Sequence, residues 1–108
     1  MKRNYKVITL SNNDEILAIQ TENELLNTML FTDYSTLKTY FEKVISGQSD
    51  FEEGTGNVCR VEISKELTKI YDVLSEKEEY FEISTNEIGK ILKEYGALLD
   101  AFEKSKNN

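Results

Sequence analysis

The spacing of apolar residues changes several times along the chain, and each change predicts a structural element. Residues 5–10 are apolar and β-branched, which is typical of a strand. Four polar residues at 11–14 form a turn signal, and the apolar run within 15–20 predicts a second strand. The chain is therefore expected to begin with a β-hairpin.

Two short helices are predicted next. Thr21 and Glu24 have the T-x-x-E spacing of a capping box, and Leu and Met residues at helical spacing follow them. Asp33 is expected to cap a second helix over 34–46, whose apolar positions repeat at i, i+3, i+4 and i+7. Gly47 stands where helices commonly end in the left-handed conformation.

The second half predicts a loop, a β-meander and a long helix. Residues 48–56 are rich in Ser, Gly and acidic side chains, which favours a loop. Three β-like runs at 57–64, 68–74 and 79–83 follow, and their short polar connectors favour antiparallel pairing.

The last helix has the strongest pattern. Ser84 and Glu87 form a capping box at its start. Seven apolar residues then share one helical stripe. They are Ile88, Ile91, Leu92, Tyr95, Leu98, Leu99 and Phe102. Gly89 and Gly96 weaken the helix, and the expected reason is close packing of the helix flat on the sheet.

Together these patterns predict an α+β fold. The expected architecture is one antiparallel sheet of about five strands, two short helices in the first half, and a long C-terminal helix packed on one face. Residues 1–104 are expected to form a single domain, with 105–108 as a frayed tail.

Composition and charge narrow the function classes. The net charge is −7, and residues 11–54 carry nine acidic side chains against two basic ones. Such a field repels phosphate backbones and favours a basic protein partner, although acidity alone also keeps a small protein soluble. No stretch is long and apolar enough for a signal peptide or a membrane span. The lone Cys59 indicates a reducing compartment, so a cytoplasmic location without membrane association is expected.

Most enzymatic chemistry is missing from the sequence. The chain has no histidine and one cysteine, which excludes histidine-based catalysis and an ordinary zinc site. Cys59 alternates with Val61 and Ile63, so a buried and inert thiol is expected. No phosphate-binding glycine motif is present. We therefore expect a non-catalytic protein without a cofactor or a metal ion.

Two clusters of carboxylates keep several readings open. One lies at 50–53 and the other at 76–82. Each could be a solvated surface, a protein contact, a site for a divalent cation or a catalytic acid–base pair. The tyrosines also divide, because Tyr40 and Tyr95 belong to apolar stripes, whereas Tyr34, Tyr71 and Tyr80 are expected to be partly exposed. Aromatic residues beside acidic ones are good interface anchors, but they are also common at the edge of a core.

The second half resembles a known class of bacterial proteins. Asn57-Val-Cys-Arg-Val-Glu-Ile-Ser64, Thr68-Lys-Ile-Tyr-Asp-Val-Leu74, Tyr80-Phe-Glu-Ile-Ser84 and the following helix form a strand-strand-strand-helix order over roughly 55–104. This order resembles small acidic immunity proteins encoded beside polymorphic toxins, including contact-dependent inhibition systems. The resemblance implies a protein that binds a cognate toxin domain, often a basic nuclease, and covers its active cleft with an acidic surface.

The predicted contact residues come from charge and expected exposure rather than from a family motif. They are Asp50, Phe51, Glu52, Glu53, Glu76, Glu78 and Glu79. The alternative is a homo-oligomeric or adaptor module that uses an exposed strand edge and has no toxin partner. The oligomeric state itself cannot be read from these patterns.

Overall fold

The computed structural model describes residues 1–57, 59–77 and 79–106. Six strands and two helices are found there. In chain order they are β1 (Arg3–Thr9), β2 (Glu15–Thr21), α1 (Glu24–Ile45), β3 (Phe51–Thr55), β4 (Cys59–Ser64), β5 (Leu67–Asp72), β6 (Tyr80–Ser84) and α2 (Thr85–Lys106). Neither helix contains a stretch of 18 residues that is apolar enough to cross a membrane.

The prediction of one sheet with about five strands is wrong. The protein is α+β, but β1 and β2 form a separate two-stranded sheet, and β3-β4-β5-β6 form a four-stranded antiparallel sheet. The hairpin packs mainly on the helices, where Leu17 and Ile19 are buried, instead of extending the larger sheet. The sequence pattern predicted the hairpin itself but held no information on which layer it joins.

The β3 strand is an element that the sequence reading missed. Residues 51–55 were predicted as loop because three of the five are Glu or Gly. The structure places them as the edge strand of the four-stranded sheet, with Phe51 opposite Ser64 and Thr55 opposite Arg60. Gly54 is required there, because a Cβ would lie 2.3 Å from the ring of Tyr40.

The two short helices predicted in the first half are one long helix. Asn23, not Thr21, is its N-cap, and the Asn23 side chain accepts from the Leu26 N–H at 2.8 Å. Thr21 remains in β2, so the capping-box reading began two residues early. Asp33 lies inside the helix at a kink, with φ −133° and ψ 30°, instead of capping a second helix. Gly47 follows the helix at φ 81°, as predicted.

The buried carboxylate of Asp33 explains the kink. Asp33 is 5% exposed, and both of its oxygens accept from the Asn57 backbone N–H at 3.1 Å. The Asn57 side-chain amide donates to Asp33 Oδ1 at the same distance. The β3–β4 connection therefore hydrogen-bonds to the middle of α1, which fixes the sheet edge relative to the helix.

The α2 helix confirms most of its predicted stripe. Ile88, Ile91, Leu92 and Tyr95 are buried, whereas Leu98 is 40% exposed. Its capping box is only half formed: Ser84 Oγ accepts from the Glu87 N–H at 3.1 Å. The Glu87 carboxylate binds Arg3 at 2.7 Å. The helix continues through Lys106, and 107–108 lie outside the described residues.

The glycines of α2 do allow close packing, but on the other helix and not on the sheet. A Cβ at Gly89 would lie 2.6 Å from the Phe41 ring, and one at Gly96 would lie 2.4 Å from the Tyr34 hydroxyl. The paired positions run in opposite directions along the two helices, so α1 and α2 pack antiparallel. Residues without side chains are needed where an aromatic ring meets the helix backbone.

The hairpin is fixed to α2 by a charged cluster. Arg3 donates to both oxygens of Glu94, at 2.7 and 2.6 Å, and the Tyr5 hydroxyl donates to Glu94 at 2.8 Å. These bonds, with Arg3 contributing most, lower the pKa of Glu94 to about 2. Burial is the main cause that raises the pKa of Tyr5 to about 12. A two-stranded hairpin is marginal alone, so these contacts determine where it lies.

Candidate functional site

One face of the four-stranded sheet is uncovered by any element within the described chain. Residues alternate along each strand, so Val61 and Ile63 are fully buried beneath the helices while Arg60 and Glu62 point outward. The outward residues form three rows across the sheet. They are Thr55, Arg60, Tyr71 and Tyr80; Glu53, Glu62, Lys69 and Glu82; and Phe51, Ser64, Leu67 and Ser84. We call these twelve residues the open face.

The first row of the open face is aromatic and ordered by contacts. The Arg60 guanidinium lies 4.0 Å from the centre of the Tyr71 ring, and the Tyr71 and Tyr80 rings are 5.2 Å apart. Glu62 accepts from Arg60 at 2.5 Å and from the Tyr71 hydroxyl at 3.1 Å. The hydrogen bond from Arg60 is the main cause that lowers the pKa of Glu62. Tyr and Arg held in this way are pre-organised for a protein contact.

The opposite row supplies exposed apolar groups. Phe51 is 50% exposed, Leu67 is 36% exposed and Tyr80, from the first row, is 53% exposed. Single exposed apolar side chains are ordinary, but here they share one rigid surface with a charged middle row. The open face thus mixes four aromatic or apolar side chains with five charged ones, and Tyr, Phe and Arg are the residue types among them that are enriched at protein interfaces.

The acidic segment at 50–53, predicted as a loop with free negative charge, contacts basic side chains of the same protein. Each of the three carboxylates at 50–53 lies within ion-pair distance of a basic side chain. The pairs are Asp50–Lys65 at 3.2 Å, Glu52–Lys43 at 3.6 Å and Glu53–Arg60 at 3.6 Å. Lys65 and Lys43 each offset one of these acids, whereas Arg60 is shared between Glu53 and Glu62, which it contacts at 2.5 Å.

The other predicted acids lie on the connection from β5 to β6. Glu76 and Glu79 are exposed, and across the described residues no basic group approaches either within 4.0 Å. Glu78, also predicted as a contact residue, lies outside the described residues. This end of the molecule retains more uncompensated negative charge than the 50–53 segment.

The two predicted groups are not brought into one patch. Phe51 begins β3 and Tyr80 begins β6, and these are the two outer strands. The strand register puts the two residues at diagonally opposite corners of the open face. From the spacing of strands and residues they are roughly 20 Å apart.

Sequence reasoning left several open-face residues out of the predicted contact set. Arg60, Leu67 and Tyr71 were omitted because none belongs to an acidic cluster. The available signal was the alternation in Cys59–Ser64, which places Arg60, Glu62 and Ser64 on the face opposite the core.

The remaining candidate chemistry is limited. Cys59 is free and fully buried, and burial is the main cause that raises the pKa of its thiol to about 11. The thiol is therefore protonated near neutral pH, as expected for a structural cysteine. Within the described ranges, no three Cys, Asp or Glu side chains are grouped closely enough to hold a metal ion.

Comparison with known proteins gives one informative relative. The chain is 27% identical over 113 aligned residues to a Bacillus cereus protein named "Immunity protein", and the match covers 99% of this chain and 97% of that protein. No family model matches the chain, and no solved structure matches it significantly.

Proposed function

We propose that this chain is an immunity protein, a non-catalytic binding protein that neutralises a bacterial toxin domain by covering it. The observation that carries the proposal is the open face, whose aromatic, apolar and charged side chains are ordered and uncovered. The near full-length similarity to a protein named as an immunity protein supports the same function. Inhibition by binding requires complementary surface and no reactive group.

The proposed target is a basic toxin domain, and specifically a nuclease of a polymorphic or contact-dependent toxin. The net charge of −7 supports this choice, because a nuclease must attract phosphate and therefore has a positive cleft. The acidic end of the protein near Glu76 and Glu79 would approach that cleft first. Attraction between opposite charges accelerates such an encounter.

The division of roles follows from the charges described above. Asp50, Glu52 and Glu53 are already paired, so releasing them to a partner would cost the internal contacts. Phe51, by contrast, is half exposed and available. We therefore assign affinity mainly to the aromatic and apolar residues of the open face, and association rate mainly to the uncompensated acids.

A homo-oligomeric module is the second candidate, and the hairpin favours it. Val7, Ile8 and Leu10 are 48%, 36% and 39% exposed at the far end of the two-stranded sheet. An exposed apolar edge can pair with a second copy. Light scattering coupled to size-exclusion chromatography from 1 to 100 µM tests this candidate, because a self-associating module rises above the chain mass of 12.5 kDa as its concentration increases.

The proposed function is tested by capture followed by inhibition. Tagged protein is incubated with lysate of its native cells, washed at low and then high salt, and the bound proteins are identified by mass spectrometry. The captured protein is then purified and assayed for cleavage of DNA and RNA with and without one equivalent of this chain. Capture of a toxin whose activity is abolished at a 1:1 ratio supports the proposal.

Matched variants localise the contact in the same assay. Tyr80→Ala alters the open face, whereas Phe31→Ala removes an aromatic side chain of similar exposure, 51%, from α1. Only the first is expected to reduce capture and inhibition. Equal losses of capture and inhibition in both variants would show that the open face is not the contact surface. An active toxin that is bound but not inhibited would contradict neutralisation itself.

A further inference from the structure

A groove of about 430 Å³ lies beside the aromatic row, between the start of α1 and the β5–β6 connection. Its lining combines apolar and acidic side chains from α1, β5, β6 and the β5–β6 connection. The residues that matter here are Glu24, Leu25, Asp72, Leu74, Glu79, Tyr80 and Phe81. Leu74 is 75% exposed and is the most exposed of the large apolar residues described. A leucine held on a short turn beside a groove offers an apolar contact that the protein itself does not use.

The acids around this groove differ from those at 50–53. Glu24, Asp72 and Glu79 have no basic side chain within 4.0 Å among the described residues. Asp72 accepts from the Leu74 N–H at 2.9 Å, so the turn is held in position by one of the acids. The groove thus has a fixed apolar wall and three carboxylates without a cationic partner.

We propose that this groove receives a cationic side chain, most favourably arginine, from the bound toxin domain. This inference rests on the proposed function and names the contact that the toxin supplies. The methylene groups of such a side chain would lie against Leu74 and Phe81. Its charged end would meet the carboxylates of Glu24, Asp72 and Glu79.

Charge complementarity selects this occupant over the alternatives. A second copy of the chain, with net charge −7, would bring more negative charge to three uncompensated carboxylates. A purely apolar side chain would desolvate those carboxylates without replacing their hydrogen bonds. A long cationic side chain can pack its methylene groups on the apolar wall and pair its charge with the carboxylates.

The groove is also continuous with the open face, because Tyr80 belongs to both. A standard protein interface covers roughly 800 Å² on each partner, so a contact centred on the open face is expected to extend onto adjoining surface. A toxin resting on the open face would reach the groove without a change in the backbone of this chain. The two surfaces therefore act as one interface, with the groove at its acidic end.

The first test uses a probe and does not depend on knowing the toxin. The ¹⁵N-labelled protein is titrated with N-acetyl-arginine methylamide and, separately, with the neutral citrulline analogue. We expect amide shifts at Leu74, Tyr80 and Phe81 with the arginine compound, at least fivefold larger than with citrulline. The double variant Glu24→Gln/Glu79→Gln should lose them, whereas Glu66→Gln/Glu103→Gln, with the same charge change at exposed distant positions, should keep them.

Shifts of equal size for both compounds, or shifts scattered over the acidic surface, would overturn the inference. The Leu74→Ser variant provides a second measurement that is safe for folding, because this side chain is already mostly exposed. It is expected to weaken the arginine-dependent shifts while leaving the spectrum elsewhere unchanged.

The second test uses the captured toxin domain. Leu74→Ser and the Glu24/Glu79 variant should each weaken toxin binding by about tenfold or more, and the Glu66/Glu103 control by less than threefold. Unchanged affinity in both groove variants would refute the groove contact while leaving neutralisation intact. Failure to inhibit any captured toxin, with the arginine probe still bound, would refute the proposed function and not the groove.

Discussion

Replacing Asp33 by Ala tests how the sheet edge is fixed to the kinked helix. The change removes a buried carboxylate that accepts from the Asn57 backbone N–H and side-chain amide, each at 3.1 Å. Hydrogen bonds to a charged group contribute about 1.5–3 kcal/mol. Asn57 is exposed, so its freed N–H groups can bond to water in the variant. Ala has a better helix propensity than Asp, and this difference offsets roughly 0.6 kcal/mol of the loss in stability. The expected loss in the free energy of unfolding is therefore about 1–2.5 kcal/mol.

The measurement is urea denaturation followed by circular dichroism, with Asp100→Ala as the control. Asp100 is an exposed aspartate on α2, so its replacement should change stability by about 0.5 kcal/mol or less. Thermal melts should agree, with a loss of roughly 4–15 °C for Asp33→Ala. A destabilisation equal to that of the control would refute the structural role assigned to Asp33.

A double-mutant cycle makes the same test sharper. Alanine at Gly56 would place its Cβ 2.3 Å from the Asp33 carboxyl carbon, so Gly56→Ala alone is expected to cost about 1–3 kcal/mol. In the Asp33→Ala background the obstructing atoms are gone, and the added methyl group occupies vacated space. The two changes should therefore cost at least about 1 kcal/mol less together than the sum of their separate effects. Additive effects would show that the two residues do not meet as described.

Contacts of Glu94, Gly96 and Tyr80 can each be tested by a single substitution. Arg3 and a tyrosine hydroxyl hold the pKa of Glu94 near 2, below its value in the unfolded chain. The ionised carboxylate therefore stabilises the fold above about pH 4.3, and this stabilisation is lost as the pH falls toward 2. Since Glu94 is 44% exposed, we expect Glu94→Gln to cost only about 1 kcal/mol at pH 7 and nothing near pH 2 in urea titrations at both values. Gly96→Ala should fail to give the usual gain of about 1 kcal/mol in calorimetry, unless Tyr34→Phe relieves the contact with its hydroxyl. Tyr80→Ala should leave the melting temperature within about 3 °C of the parent and still weaken toxin binding about tenfold by calorimetric titration.

Local patterns predicted the elements better than their arrangement. The stripe of α2 and the alternation of β4 are strong because each repeats a period over many residues. Phe51–Thr55 was missed because its inward positions, Glu52 and Gly54, are not apolar. Gly54 there makes room for the Tyr40 ring, a tertiary requirement that no local window reports.

The kink at Asp33 is a second case in which a distant contact overrides a local sequence signal. An aspartate between two apolar helical stretches is a normal capping signal, and the sequence reading accordingly predicted two helices. In the structure its side chain turns away from the helix to Asn57, 24 positions along the chain. The helix therefore continues through Asp33 because a distant backbone N–H takes the role that a first-turn N–H would have had.

The candidate site was only partly predictable, because it also depends on contacts between residues that are distant in the sequence. Counting carboxylates located two acidic clusters, but strand register decides which charges remain for a partner. Lys43 from α1 and Lys65 from the β4–β5 turn offset two of the acids at 50–53, and Arg60 from β4 is shared between Glu53 and Glu62. The acids around Leu74 have no such neighbours among the described residues. A partner that senses charge would therefore be guided to the groove and the adjoining aromatic row, and not to the segment with the densest acidic sequence.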